Sequence, residues 1–323
     1  MLSRRSALTL LGGALTAPSI ARAQTFPVKP IRMIVAYPAG GPTDAIARFV
    51  AQDMGPALGQ NVIVENMAGA SGAVGTRFVA RAEPDGHVIT FGNNQTHGNN
   101  MFLLKEPGYD AIKDFAPLAG AGAFEHAFVV RKDLPAKNLQ EFIALAKSKP
   151  GELNYGSTGV GSGSHLSTEL FMTRTGIKMQ HVPFRGAAPL VQEMIAGRID
   201  IANSTLPSVI SQIQGGELRA LGIASPQRNA QVSDVPTLRE GGVTNADASS
   251  WTGFFAPVAT PQPVLDRLSR EILASLNKPE TKERLIKLGF SLQPREPSAF
   301  RPFLANEMEV WSDVIKTAGV KAE

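Results

Sequence analysis

The chain has 323 residues, a formal net charge of +4 at pH 7 and no cysteine. The lack of cysteine excludes thiol catalysis, thiolate metal sites and iron–sulfur clusters. Three of the positive charges (Arg4, Arg5 and Arg22) lie in the first 23 residues, and the nearly neutral remainder has no basic surface of the kind that binds nucleic acid. A chain of this length can bury a large core and favours two domains.

Residues 1–23 have the three-part pattern of a secretory signal peptide. A basic start precedes an apolar run from Ala7 to Ala17, and Ala21 and Ala23 are small residues where a signal peptidase cuts. The apolar run is shorter than the roughly 20 residues that a membrane-spanning helix needs. We therefore expect cleavage, a periplasmic location and no membrane span in the mature chain, with Sec and twin-arginine export both open.

The next residues alternate between strand and helix patterns. Residues 31–37 predict a buried strand, and Ile46, Phe49, Val50 and Met54 then recur at helical spacing. A second strand, a second helix and a third strand are predicted at 62–64, 72–81 and 87–91. This order predicts a parallel sheet with helices on its faces.

The same alternation repeats in the middle of the chain. Strands are predicted at 127–130, 153–155, 180–182, 199–202 and 218–223. Helices are predicted at 138–147, 164–175, 187–196 and 207–214, and Asn138 is the expected cap of the first of these. The repeat predicts a second α/β unit.

Beyond Ser225 the sequence becomes rich in turn-forming residues and then returns to regular structure. One strand is predicted at 250–257, followed by helices at 263–276, 279–288 and 298–317. We predict two doubly wound α/β domains joined by two crossovers: 26–125 with 231–323, and 126–230. Two crossovers make a hinge that can close around a ligand.

Two glycine-rich loops follow predicted strands and precede helices, which is where ligands bind in open parallel sheets. We call residues 37–44 (Tyr-Pro-Ala-Gly-Gly-Pro-Thr-Asp) loop 1 and residues 155–165 (Tyr-Gly-Ser-Thr-Gly-Val-Gly-Ser-Gly-Ser-His) loop 2. Their amides and hydroxyls offer hydrogen-bond donors without a fixed charge, which suits a carboxylate. Thr43 or Asp44 is the expected cap of the helix after loop 1.

Other candidate sites are weaker. The stretch 66–75 has glycines, but it lacks the spacing and position of a dinucleotide-binding loop, so it predicts a turn and close helix packing. Ser164 and His165 are adjacent and cannot face each other as nucleophile and base. The histidines are dispersed with no metal-ligand spacing, so we expect no catalytic residue, no metal and no cofactor.

Several motifs together resemble one family. They are the whole of loop 1, Asn-Met-Ala-Gly-Ala-Ser-Gly at 66–72, Lys-Asp-Phe-Ala-Pro at 113–117, loop 2, Val-Pro-Phe-Arg-Gly at 182–186, Asp-Val-Pro-Thr-Leu at 234–238 and Trp-Thr-Gly-Phe-Phe-Ala-Pro at 251–257. The chain resembles the Bug receptors, the periplasmic solute-binding subunits of tripartite tricarboxylate transporters.

The resemblance implies a type II periplasmic-binding-protein fold that closes on a small organic carboxylate. It implies contacts from both loops and, with less support, from two further positions. The implied ligand-binding residues are Tyr37, Ala39, Gly40, Gly41, Thr43, Asp44, Thr96, Ser157, Thr158, Ser162, His165 and Asn203. The sequence departs from the family at Pro42, which removes a backbone donor. It also departs around Glu125, which would disfavour a second ligand carboxylate if it reached the cleft.

Our leading hypothesis is a monomeric receptor that delivers a carboxylate to membrane transporter subunits. One alternative is a receptor of the same fold that informs a two-component sensor kinase. Another is an exported enzyme, which would need an acid–base pair that the sequence does not offer.

Overall fold

The computed structural model describes residues 26–225, 227–246 and 249–320, so the predicted signal peptide lies outside the described residues. The described strands are β1 Ile31–Val35, β2 Val62–Asn66, β3 Val88–Asn93, β4 Phe115–Arg131, β5 Asn154–Ser157, β6 Gln180–Pro183, β7 Ile201–Thr205, β8 Leu218–Ile223, β9 Ser249–Pro257 and β10 Phe290–Arg295. The described helices are α1 Pro42–Leu58, α2 Ala73–Ala80, α3 Asn100–Leu103, α4 Leu139–Ser148, α5 Gly163–Thr175, α6 Ala187–Ile195, α7 Leu206–Gln214, α8 Gln262–Asn277, α9 Pro279–Lys287 and α10 Pro297–Ala318.

The strands form one sheet in the order β2-β1-β3-β9-β4-β7-β5-β6, and β8 and β10 also pair with β4. Strand β4 joins the two halves of this sheet. Its first part, Phe115 to Glu125, pairs with β9, and its second part, His126 to Val130, pairs with β7. The partner changes between Glu125 and His126, so this step of the chain separates the half with β1 from the half with β5.

The sheet is mixed as a whole, while the parallel arrangement predicted from the alternating strands and helices is present within each half. Strand β1 runs parallel to β2 and β3, and β5 runs parallel to β6 and β7. Strand β9, however, is antiparallel to β3 and β4, and β4 is antiparallel to β7. The strands that cross between halves therefore run against their neighbours, while the loops after β1 and β5 keep the geometry of parallel units.

Each half has its own apolar core. In the first half Met33, Val50 and Phe254 are fully buried together. In the second half Phe128 packs on Phe171 with ring centroids 4.6 Å apart, so α5 covers β4. A small cluster of Leu103, Leu166, Trp311 and Ile315 joins α3, α5 and α10.

Most predicted elements are present, and Asn138 caps α4 by accepting a hydrogen bond from the Glu141 amide as expected. Three segments differ. Strand β4 is far longer than the predicted 127–130, because its glycine- and alanine-rich first part gains its order from pairing with β9 and β10. Strand β10 and the helical segment from Gln95 to Leu103 were not predicted. The polar residues of the latter are buried by tertiary packing, which a periodicity argument does not detect.

Candidate functional site

Loop 1 leads from β1 into α1 and exposes its glycine-rich turn. Ala39 and Gly40 are exposed, and Gly40 has φ +82°, a conformation that favours glycine. The hydroxyl of Tyr37 lies 2.8 Å from Asn93 Oδ1, and burial raises the pKa of this phenol. Tyr37 therefore fixes the start of the loop against the end of β3.

Asp44 holds loop 1 in shape from inside α1. Its carboxylate accepts hydrogen bonds from the Gly40 amide at 2.9 Å, from Asn66 Nδ2 at 2.9 Å and from Arg48 Nε at 3.0 Å. Burial alone would raise the pKa of Asp44, but the hydrogen bonds from Arg48, Gly40 and Asn66 hold it below its ordinary value. The carboxylate and the Gly40 amide are thus engaged with each other rather than free.

The start of α1 differs from the predicted cap. Gly41 is the N-cap residue and has no side chain to offer, so the expected capping by Thr43 or Asp44 is wrong. Pro42 occupies the first helical position, where a missing N–H is tolerated. No described residue accepts a hydrogen bond from the amides of Gly41, Thr43 or Asp44, so this helix start presents free donors and partial positive charge.

Loop 2 leads from β5 into α5 and is tied together by its own hydroxyls. Ser162 caps α5 by accepting from the His165 amide at 3.2 Å, and its hydroxyl donates to the Gly159 carbonyl at 2.7 Å. Ser164, which was not among the predicted site residues, accepts from the Thr158 amide at 2.9 Å and lies 2.9 Å from the Ser162 hydroxyl. These bonds leave the amides of Gly163 and Ser164 without an acceptor among the described residues.

A stack of rings supports loop 2 from below. The rings of His165 and His181 are parallel with centroids 4.1 Å apart, and Tyr155 stacks on His181 at 4.8 Å. Burial lowers the pKa of His165 to about 3 and that of His181 to about 4. The Ser157 hydroxyl lies 2.6 Å from His181 Nε2, and the Tyr155 hydroxyl donates to Glu169. The fold thus brings together two histidines that are dispersed in the sequence.

His165 has a defined tautomer. Its Nδ1 atom accepts a hydrogen bond from the Gly161 amide at 3.0 Å, so the ring proton lies on Nε2. Nε2 is 3.8 Å from Glu169 Oε1. His165 therefore shapes loop 2 through Gly161. Among the described residues, no group of three or more His, Cys, Asp or Glu side chains is placed to hold a metal ion.

The first half of the sheet contacts loop 2 directly. The Val160 carbonyl accepts hydrogen bonds from Ser71 Oγ at 3.2 Å and from Gln95 Nε2 at 3.3 Å. The Gly161 carbonyl accepts from Asn99 Nδ2 at 3.1 Å. These three donors were not predicted from the sequence, although Ser71 lies in the glycine-rich stretch 66–75. Ser71 has φ +54°, a strained value for a serine, and this strain marks a position held by its surroundings.

The two implied site residues outside the loops, Thr96 and Asn203, are buried behind them. The Thr96 hydroxyl accepts from the Asn93 amide at 3.1 Å and lies 3.0 Å from His97 Nδ1. Asn203 on β7 donates to the Ser167 hydroxyl of α5. Both side chains are fully buried. The structure therefore places them under the site rather than on its exposed rim.

Glu125 turns away from the two loops. One carboxylate oxygen accepts from Asn229 Nδ2 at 3.0 Å and the other accepts from the Ser291 hydroxyl. These partners lie in the segment after β8 and on β10. The bonds account for both oxygens, and neither partner belongs to loop 1 or loop 2.

Two surface hollows lie away from this region. One of about 520 Å³ is lined by residues around Lys132 and Arg219, and one of about 320 Å³ by residues around Phe49 and Lys278. Loop 2 itself is largely buried by the bonds from Ser71, Gln95 and Asn99. The two halves are thus in contact at loop 2.

Two donor-rich loops follow parallel strands, one in each half of a mixed sheet, and the first half contacts loop 2 through Ser71, Gln95 and Asn99. This arrangement defines a solute-binding protein of the periplasmic-binding-protein class. Three solved structures are similar over most of the chain. BugD, described as a periplasmic binding protein, is 31% identical with a TM-score of 0.86, covering 92% of this chain and 100% of BugD. A protein of R. palustris solved with adipate is 30% identical with a TM-score of 0.89, with the same two coverages.

MatC of Rhodopseudomonas palustris, solved with bound malate, is 33% identical with a TM-score of 0.84, covering 90% of this chain and 100% of MatC. The sequence profile of the tripartite tricarboxylate transporter family receptor matches residues 46–320. The chain belongs to this family of periplasmic solute-binding receptors, which are binding proteins rather than enzymes. The predicted family, fold class and general function are therefore confirmed.

Proposed function

We propose that this receptor captures a small carboxylate between loop 1 and loop 2 and delivers it to the membrane subunits of a tripartite tricarboxylate-type transporter. The observation that carries the proposal is the pair of free helix starts. The amides of Gly41 and Thr43 on α1, and those of Gly163 and Ser164 on α5, have no acceptor among the described residues. Helix N-termini favour anions because of their free donors and their dipole.

The contributing groups differ in role. We assign direct contacts to backbone donors near Ala39, Gly41 and Thr43 and to the hydroxyl of Thr158. We assign a supporting role to the expected residues that the fold already engages. These supporting residues are Tyr37, Gly40, Asp44, Thr96, Ser157, Ser162 and His165. The assignment is supported by the hydrogen bonds that Asp44 makes to Gly40 and that His165 accepts from Gly161.

The proposed domains are 26–125 with 231–323, and 126–230. Support comes from the change of sheet partner on β4 between Glu125 and His126. Glu125 then joins the two domains at their boundary, because Asn229 lies in the second domain and Ser291 in the first. Opening about this boundary would break the bonds from Ser71, Gln95 and Asn99 to loop 2 and admit ligand.

The protein is proposed to act in the periplasm as a monomer. Its export would depend on the signal peptide predicted at residues 1–23. Among the described residues no helix is both long enough and apolar enough to cross a bilayer. The relatives solved with adipate and malate make dicarboxylates and hydroxy acids the first ligands to test.

A thermal-shift screen of organic acids, followed by calorimetry on each hit, tests the proposal. A ligand at 100 times its Kd should stabilise the protein by about 2.7 kcal/mol by mass action. NMR of the acid after prolonged incubation should show it unchanged. A screen of adipate, succinate, malate, aromatic acids and amino acids in which nothing raises the Tm would contradict the proposal, and turnover of any acid would favour an enzyme.

A further inference from the structure

A buried polar cluster lies directly behind the start of α5 and is left incomplete by the protein. We define it as the Asn94, His126 and Asn203 cluster. All three side chains are at most 2% exposed, and each has one polar atom without a well-aligned hydrogen-bond partner among the described residues: Asn94 Nδ2, His126 Nδ1 and Asn203 Oδ1. Buried polar atoms without partners are rare, because each costs desolvation free energy that no bond repays.

Two members of the cluster, Asn94 and His126, lie against Gly163, the first residue of α5. A Cβ atom placed on Gly163 would lie 3.4 Å from Asn94 Nδ2 and 3.4 Å from His126 Cε1. The Gly163 amide is one of the free donors assigned above to the ligand carboxylate. The cluster therefore lies within a few bond lengths of the place where that carboxylate would bind.

The orientation of Asn203 is fixed by a chain of bonds. The Ser167 hydroxyl uses its single proton to donate to the Gly163 carbonyl at 2.6 Å. It can therefore only accept from Asn203, so the amide nitrogen of Asn203 faces Ser167 and its oxygen is the unpartnered atom. The cluster consequently offers an acceptor in Asn203 and a donor in Asn94.

His126 adds a neutral ring to this pair. Its Nε2 atom lies 2.8 Å from the Ser250 hydroxyl, and burial lowers its pKa to about 4, an effect that a hydrogen bond with the Asn203 side chain opposes. The ring is uncharged at neutral pH, and the hydrogen bonds found for the cluster go only to uncharged groups. Strand register places His126 and Asn203 on the face of the sheet that α5 covers, because His126 pairs with Thr205 and Phe128 pairs with Asn203.

We propose that the Asn94, His126 and Asn203 cluster is a specificity subsite that recognises a hydroxyl group on the carboxylate ligand. A hydroxyl both donates and accepts, so it matches Asn203 Oδ1 and Asn94 Nδ2 together and fits either tautomer of His126. A second carboxylate can only accept, and it would meet the Asn203 oxygen without a compensating positive charge. The subsite lies next to Gly163, so the hydroxyl belongs two or three bonds from the bound carboxylate.

The inference rests on the proposed function, and matched ligand pairs separate the two. Calorimetry should compare lactate with propionate, 3-hydroxybutyrate with butyrate, and malate with succinate. In the wild-type protein we expect at least one hydroxy acid to bind at least tenfold more tightly than its unsubstituted partner. If acids bind but no pair shows this preference, the subsite is wrong while carboxylate capture stands. If no acid binds, capture itself fails and the subsite falls with it.

Two variants test whether the cluster causes the preference for hydroxy acids. His126→Phe and Asn203→Leu keep similar volume and remove the unpartnered polar atoms, so each should reduce the preference to less than threefold while the unsubstituted acid binds within threefold of wild type. His87→Phe is the matched control, since His87 is also buried but packs on Phe26 far from the loops, and it should keep the full preference. Circular dichroism confirms folding, and each variant is informative alone. Retention of the tenfold preference in a folded His126 or Asn203 variant would overturn the subsite.

Discussion

Asp44 Oδ1 lies 2.9 Å from Asn66 Nδ2, so a hydrogen bond joins the helix after β1 to the last residue of β2. The same carboxylate holds the Gly40 amide and Arg48. The negative charge of Asp44 is therefore balanced by Arg48, and Asp44 supports the proposed anion site without contacting the ligand. Its role is to set the position of the free amides beside it, and this role can be tested.

Asp44→Ala should loosen loop 1. The change leaves Gly40, Asn66 and Arg48 without their shared acceptor, so we expect a loss of about 1–3 kcal/mol in stability and at least tenfold weaker ligand binding. Denaturant unfolding and calorimetry measure the two effects. Asp53→Ala is the control, because Asp53 on the same helix accepts from Ser275, Thr281 and Lys278 away from the loops. It should lose stability and keep affinity, and equal loss of affinity in both variants would refute the role of Asp44.

Gly163→Ala should close the space between α5 and the strands. The added Cβ would lie 2.4 Å from the Ser250 hydroxyl, which is closer than real contacts allow, so α5 must shift and we expect ligand binding to weaken by at least tenfold. Gly55→Ala adds the same methyl group to the last turn of α1, where the nearest atom is 3.6 Å away. That control should bind ligand normally. Unchanged affinity in the Gly163 variant would argue against a ligand at this helix start.

Asn99→Ala should speed ligand release. Asn99 donates to the Gly161 carbonyl across the two halves at 3.1 Å, and losing this bond removes a contact that exists only when they are closed. We expect a several-fold higher dissociation rate in stopped-flow measurements. Asn138→Ala is the control, because it removes the cap of α4 and costs about 1 kcal/mol without touching loop 2. A dissociation rate that rises equally in both variants would indicate a general loss of stability rather than a closing contact.

Acid should destabilise the protein through its buried histidines. Burial holds the pKa of His165 at about 3 and that of His181 at about 4, below the ordinary value of 6.5, so the unfolded chain binds more protons than the folded chain in this range. Stability is then complete above about pH 6.5 and falls as the pH drops towards 4, by at most about 1.4 kcal/mol per pH unit for each histidine.

Glu169 acts in the opposite direction just above pH 4.5, because burial raises its pKa. The contribution of one histidine is therefore best measured as a difference between proteins. Calorimetric Tm values at pH 7, 6 and 5 should fall less steeply in His181→Phe than in wild type. Identical slopes would show that His181 is not held neutral by the fold.

The motifs of the sequence determined the family, the positions of both loops and most elements, because hydrophobic periodicity, Asn138 and the glycines act locally. The length of β4, strand β10 and the helical segment at Gln95 needed the tertiary structure, since their order comes from strand pairing and burial between distant residues. Some features of the site were likewise predictable from the sequence, and others needed the tertiary structure. Loop sequences predict donors, but only the fold reveals that Gly40 is already bonded to Asp44 and that Ser164 organises loop 2. Only the fold shows that His126 and Asn94 lie against Gly163.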